Sequence, residues 1–168
     1  MKIDLHTHST RSDGTMSPTE LVQHAIINGI TVMGLSDHDT VAGWDEATAS
    51  VRGDFQLVLG AEISCLTEDH RSIHMLGLLF DPTYQPLQEV LEMSRDDRVP
   101  RMKKMIELMA ADGIKITYEE VLQNQPEGST LGRPHLADTL VAKGIVKNRD
   151  QAFAEFLAND SKYYVSHI

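Results

Sequence analysis

One cysteine, one tryptophan and no long apolar run are what this chain of 168 residues has least of. A lone thiol, Cys65, excludes an intrachain disulfide and suits a reducing compartment. No stretch is long enough to cross a bilayer, and no basic segment leads into a signal-type apolar stretch at the N-terminus. The expected location is the cytoplasm, without membrane association. Aromatic residues make up only 5% of the chain, so no platform for stacking bases stands out. Tyr118, Tyr163 and Tyr164 qualify by position alone. Basic residues are also few: 15 Lys and Arg against 25 Asp and Glu give a net charge of −10. A broad face for long nucleic acid needs basic patches and is not expected here. A small phosphorylated partner is compatible with this charge, because divalent cations held by carboxylates return positive charge locally. There is no repeat and no low-complexity segment.

What the chain does have is a succession of apolar segments that carry histidine or carboxylate. Lys2–His8 reads as a strand with Asp4, His6 and His8 on one face and Ile3 and Leu5 on the other. Ser17-Pro18-Thr19-Glu20 starts a helix with a capping box and proline at its first position. Leu21, Val22, Ala25 and Ile26 form its stripe, and Gly29 ends it. Thr31–Leu35 is apolar on both faces, as in a buried parallel strand, and runs into Ser36-Asp37-His38-Asp39. A short helix over Trp44–Val51 precedes strands at Gln56–Ile63 and Ile73–Phe80, with a polar turn at residues 68–71 between them. All four strands are expected to be parallel. After Asp81-Pro82 the pattern becomes helical, over Leu87–Arg98, Arg101–Asp112, Thr117–Gln123, Pro134–Lys143 and Arg149–Ala158. A strand pattern returns only at Tyr163-Tyr164-Val165. The result is half a barrel with apolar strand edges, followed by a helical region, with a boundary near residues 82–86.

The strand ends supply the chemistry. His6, His8, Asp13, His38, Glu62 and His74 all fall at or near the face where β/α barrels carry their sites. Gathering so many ionisable groups without a partner is costly. Divalent metal resolves that cost, since imidazole and carboxylate hold Zn, Mn or Fe. Asp37 and Asp39 have two readings, as carboxylates that orient imidazoles or as capping or surface aspartates. His24 and His70 read as ordinary helix and loop histidines, and Cys65 as a small packing residue. Arg133, beside a helix start at Pro134, is placed to help hold an anion. With His135 it would grip a substrate phosphate; the alternative is a surface arginine and a first-turn histidine. Lys103 and Lys104 read as a solvated helix face.

Several segments together resemble the PHP (polymerase and histidinol phosphatase) family, in its stand-alone phosphoesterase branch. They are Asp4-Leu5-His6-Thr7-His8-Ser9, Ser12-Asp13-Gly14, Ser36-Asp37-His38-Asp39-Thr40, Gly60-Ala61-Glu62-Ile63-Ser64 and His74-Met75-Leu76-Gly77. A later stretch, Gly132-Arg133-Pro134-His135-Leu136-Ala137, is similar to part of that branch's helical insertion. The resemblance implies an α/β fold, a distorted seven-stranded β/α (TIM-like) barrel with an α-helical insertion domain. Residues 1–83 would be the first part of the barrel, 84–162 the insertion, and 163–168 the start of a returning strand. It implies up to three divalent ions (Mn, Fe or Zn). His6 and His8 would hold the first, Glu62 would bridge the first and second, His74 would hold the second, and Asp13 with His38 the third.

The implied activity is hydrolysis of a phosphate ester by a metal-bridging hydroxide, with Glu62, His6 and His8 as the central residues. The implied substrate is a small phosphorylated molecule, such as a nucleoside phosphate or the end of a short oligonucleotide. The family completes its cluster with a His-Pro strand end and a late Asp-x-His. Neither occurs here: His167, the only histidine after His135, is followed by Ile168. The chain therefore resembles the N-terminal part of a longer enzyme. Two alternatives stay open, a metal-binding but catalytically incomplete fragment and a C–N bond amidohydrolase. Amidohydrolases also open with His-x-His, but usually bridge their metals with a modified lysine where this chain has Glu62.

Overall fold

Period-two alternation in short apolar segments gives four strands, and capped amphipathic segments give the helices between them. The computed structural model describes residues 1–69 and 71–166. They fall into two compact units, Met1–Arg95 with Gly128–Thr130, and Asp96–Glu127 with Leu131–Ile168. The first unit contains β1 (Ile3–Thr7), α1 (Pro18–Ile27), β2 (Val32–Leu35), α2 (Trp44–Ser50), β3 (Gln56–Leu66) and β4 (Ser72–Leu78). The strands lie in the order β1-β2-β3-β4 and make a curled, half-barrel sheet. Val22 and Ala25 of α1 and Trp44 and Ala47 of α2 form one buried core with Met33 and Leu35 of β2. The capping box expected at Ser17 and Glu20 is formed. The Trp44 indole donates to the Gly60 carbonyl at 3.0 Å, tying α2 to β3.

Two features of the sheet differ from the sequence expectation. β1, β2 and β3 are parallel, but β4 runs antiparallel to β3, with Ser64 opposite His74. The connection from Thr67 to Arg71 is too short for a parallel crossover, which takes a dozen or more residues. The reversal has a consequence for the site: it brings His74, early in β4, beside the late residues of β3. The second feature is a bulge in β1. Asp4 pairs with Met33 and Thr7 with Leu35, so Leu5 and His6 together oppose Gly34. Such bulges bend a strand and re-aim side chains. A Cβ at Gly34 would stand 2.4 Å from the Leu5 carbonyl oxygen, so the bulge requires glycine at this point.

α3 (Gln85–Ala111) crosses the division between the units and contains Pro100. The sequence predicts two helices there, broken before Arg101; one helix is found. Pro100 is exposed and forfeits only its own N–H bond to residue 96. The second unit continues with α4 (Tyr118–Gln123), α5 (Arg133–Ala142) and α6 (Arg149–Ala152), which runs into a π-helical turn at Phe153–Leu157. Met105, Met109, Val121, Leu136, Leu140 and Leu157 are fully buried in its core. Residues 163–165 form no strand. Instead the Tyr163 hydroxyl donates to Asp112 at 2.8 Å and the Val165 carbonyl accepts from Arg101 Nε at 2.6 Å. No helix among the described residues is long and apolar enough to cross a membrane.

Candidate metal centre

Glu62 lies at the middle of the site, and the backbone explains why. Beyond the end of β2 the parallel ladder makes one further bridge, His38 opposite Glu62. Glu62 N–H donates to the Asp37 carbonyl at 3.1 Å, and Asp39 N–H to the Glu62 carbonyl at 3.0 Å. The Glu62 carboxylate then meets imidazoles from three segments. Oε2 is 2.7 Å from His6 Nε2, 2.9 Å from His8 Nε2 and 3.7 Å from His38 Nδ1. Oε1 is 2.8 Å from His74 Nδ1. Asp13 makes a second focus, 3.2 Å from His8 Nδ1 and 3.3 Å from His38 Nε2. Its position comes from a tight turn in which Ser12 and Gly14 N–H both donate to the Ser9 carbonyl. A Cβ on Gly14 would lie 2.2 Å from the His8 carbonyl oxygen, so glycine keeps this turn against β1.

These donor atoms make three groups suited to a metal ion: His6, His8 and Glu62; His8, Asp13 and His38; and His38, Glu62 and His74. The chemistry of the set fits divalent cations, because it is built of imidazoles and carboxylates alone. His38 supplies an independent sign, since its Nδ1 is buried without a hydrogen-bond partner and faces Glu62. Burial alone would push the His8 imidazole down, but hydrogen bonds to Asp13 and Glu62 and their charges raise it to about 9. Burial likewise works to raise the Asp13 and Glu62 carboxyls. The surrounding imidazoles override it and hold both well below the usual carboxylate range.

Against this geometry, comparison with known proteins is decisive. The PHP domain pattern matches residues 4–128. The chain belongs to the PHP domain family. It is 38% identical over 165 residues to a 5'-3' exoribonuclease of Haemophilus influenzae, covering 98% of this chain and 59% of that protein. It is 32% identical over 166 residues to a 3',5'-nucleoside bisphosphate phosphatase of Chromobacterium violaceum, covering 98% and 58%. Among solved structures it is similar to a candidate metal-dependent phosphoesterase of Bifidobacterium adolescentis, with a TM-score of 0.90 and 39% identity, over 99% of this chain and 59% of that one. The chain thus spans less than two thirds of the length of these relatives.

Sequence reasoning missed the serines of this PHP domain. Asp37, only 2% exposed, touches no imidazole directly. Its carboxylate accepts from Ser9 N–H and Ser9 Oγ, both at 2.7 Å, and from Ser12 Oγ at 2.6 Å. Ser12 Oγ in turn lies 3.3 Å from His8 Nδ1. Asp39 accepts from Ser64 N–H at 2.7 Å and Ser64 Oγ at 2.8 Å. The two aspartates that flank His38 therefore fasten different neighbours, Asp37 the turn with Asp13 and Asp39 the strand with Glu62. The alternation of Ser and Asp in Ser9–Asp13 and Ser36–Asp39 was the available signal, since short hydroxyls satisfy buried carboxylates.

Arg133 and His135 lie in the second unit. Arg133 is the first residue of α5. Its Nη1 donates to the Leu157 carbonyl at 2.6 Å and to Asn159 Oδ1 at 2.8 Å, and its guanidinium lies over the Phe153 and Tyr164 rings. His135 is 2% exposed, and its Nδ1 accepts from Gly132 N–H at 3.0 Å, which fixes the turn into α5. Cys65 is partly exposed, and burial and the Asp39 charge push its thiol up, away from nucleophilic use. His24 lies on the exposed side of α1 and joins none of the ligand groups. His70 and His167 lie outside the described residues.

Proposed function

We propose that this chain carries the metal centre of a phosphoesterase that removes or cleaves phosphate from a small phosphorylated substrate. One observation carries the reading: the Glu62 carboxylate is shared, with Oε2 on His6 and His8 and Oε1 on His74. A carboxylate placed between two sets of imidazoles suits a pair of neighbouring cations better than one. His6 and His8 with Glu62 would hold one divalent ion, Glu62 with His74 another, and Asp13 with His38 a third, each imidazole serving one ion. Such ions supply Lewis-acid activation of water and neutralise phosphoryl oxygens. The chain's own residues supply the rest. Asp37 and Ser12 orient His8, and Asp39 and Ser64 keep Glu62 and His38 in register. Within the second unit, Arg133 at the start of α5, with its Nη1 already used, would offer its remaining donors to an anion. His135 serves that role indirectly, by shaping the Gly132–Arg133 turn.

The relatives act on nucleoside bisphosphates and RNA by name, and the substrate proposed here is of that class, a nucleoside bisphosphate or the 5' end of a short RNA. Mn, Fe and Zn all suit this donor set. The test is phosphate release from 3',5'-bisphosphonucleosides and from short 5'-phosphorylated RNA, with Mn²⁺ added to metal-stripped protein. Metal-dependent release that Glu62→Gln lowers by about a thousandfold or more supports the reading, in line with loss of a principal electrostatic group. Release that persists in excess chelator, or that Glu62→Gln leaves intact, overturns it.

A further inference from the structure

Arg95 stands on α3 at the end of the first unit. Its Nη1 donates to the Asp39 carbonyl at 2.6 Å, across 56 residues of sequence. Asp39 is fully buried and has a φ of +52°, the left-handed region that L-residues other than Asn, Asp and Gly seldom enter. Such a conformation persists where its surroundings over-determine it. Here three ties do so: the Asp39 N–H to Glu62, the Asp39 carboxylate to Ser64, and the Asp39 carbonyl to Arg95. Leu91, one helical turn before Arg95, is fully buried. Residues four apart share a helix face, so the packing of Leu91 fixes the turn that presents Arg95.

We infer that Arg95 is a positioning residue of the metal centre, which holds the segment Asp37-His38-Asp39 so that the His38 ring stays directed between Asp13 and Glu62. The inference rests on the metal-dependent reading above. His38 stands in two of the three candidate groups, with Nε2 3.3 Å from Asp13 and Nδ1 3.7 Å from Glu62. A neutral imidazole has one free lone pair and ligates one ion at a time, so the direction of the ring decides which carboxylate His38 joins at a metal. The left-handed residue next to His38 sets its direction, and Arg95 ties that residue from outside the sheet. Removing it leaves the His6, His8 and Glu62 group intact and loosens the two groups that share His38.

The test is Mn²⁺ binding to the purified, metal-stripped chain, followed by calorimetry, with the Co²⁺ visible absorption spectrum as a second readout. Arg95→Met is expected to keep the tightest ion and to bind the remaining ions about 10–100-fold more weakly, the usual cost of losing an outer partner of a ligand. Its Co²⁺ spectrum should change, and its metal-free melting temperature should fall modestly with the chain still folded, since the buried Asp39 carbonyl loses a donor. Arg95→Lys still places one donor near the carbonyl and should restore binding to within a few-fold. Met-variant binding equal to that of the unaltered chain overturns the inference. So does a Lys variant that folds yet binds the remaining ions about tenfold or more weaker than the unaltered chain, an arm that decides even if the Met variant fails to fold. An unaltered chain that binds no Mn²⁺ refutes the proposed function instead, which keeps the two failures apart.

Discussion

His38 sits opposite Glu62 as a single parallel bridge beyond the end of β2, with its unpartnered Nδ1 3.7 Å from Glu62 Oε2. The backbone ladder thus brings two candidate ligands together directly, without a long side chain having to find its place. His38→Ala should remove one donor from each of two groups and none from His6, His8 and Glu62. Calorimetric titration with Mn²⁺ is expected to retain one tight ion and to lose at least tenfold in affinity for the others. His24→Ala, on the exposed side of α1, should leave the titration unchanged.

The pH dependence follows from His8, Asp13 and Glu62. The His8 imidazole is raised from 6.5 to about 9 in the folded chain. Its contribution to stability is therefore complete below pH 6.5 and is lost as pH rises through about 9. Asp13 and Glu62 are lowered from 3.8 and 4.5, so theirs is present above those values and is lost as pH falls. In chelator, the melting temperature should fall as pH rises from about 6.5 to 8.5. Metal requires neutral imidazole, so with saturating divalent cation the trend should reverse over that range. Calorimetry in buffers of different ionisation enthalpy should also record proton release on metal binding.

The two close approaches of backbone predict stability effects separate from chemistry. Gly34→Ala places a Cβ 2.4 Å from the Leu5 carbonyl oxygen, and Gly14→Ala places one 2.2 Å from that of His8. Neither contact yields to a side-chain rotation, since both involve backbone. Each substitution should cost about 2 kcal/mol or more in urea unfolding, in the range of overpacked or strained sites. Gly53→Ala, where a Cβ meets nothing within 4 Å but φ is +60°, should cost about 1 kcal/mol, from backbone strain alone.

The convergence of the candidate ligands was legible in the sequence because each stands at a strand end or in the turn just after it, and strand ends are marked by apolar runs. The half-barrel pattern was legible for the same reason. The direction of β4 was not read from its pattern, since strand periodicity carries no orientation; the shortness of the Thr67–Arg71 connection was the signal that decided it. The β1 bulge left no periodic trace except Gly34. Pro100 was read as a helix break, yet the apolar spacing of Met102, Met105, Ile106 and Met109 continues through it into one helix. Ser9, Ser12 and Ser64 were invisible as supports because a serine that satisfies a buried carboxylate looks like any loop serine until the fold closes.

Asp37 gives a test of that support. Its carboxylate receives three donors from Ser9 and Ser12. Asp37→Asn keeps the shape but sets an amide N–H₂ against some of those donors. A buried donor or acceptor left unmet costs about 1–3 kcal/mol, and urea unfolding of the metal-free protein should show a loss of that order. Ser12→Ala, which removes one of those three donors together with the link to His8 Nδ1, should be milder in stability and should weaken an ion held by His8, Asp13 and His38.

The most direct test of the account is the number of Mn²⁺ ions bound per chain by the unaltered protein and by Glu62→Gln, measured by equilibrium dialysis with elemental analysis. Two of the three ligand groups contain Glu62, so the unaltered chain should hold more than one ion, and Glu62→Gln should lose at least one while remaining folded. Equal occupancy in the two proteins would contradict a metal centre built around the Glu62 carboxylate.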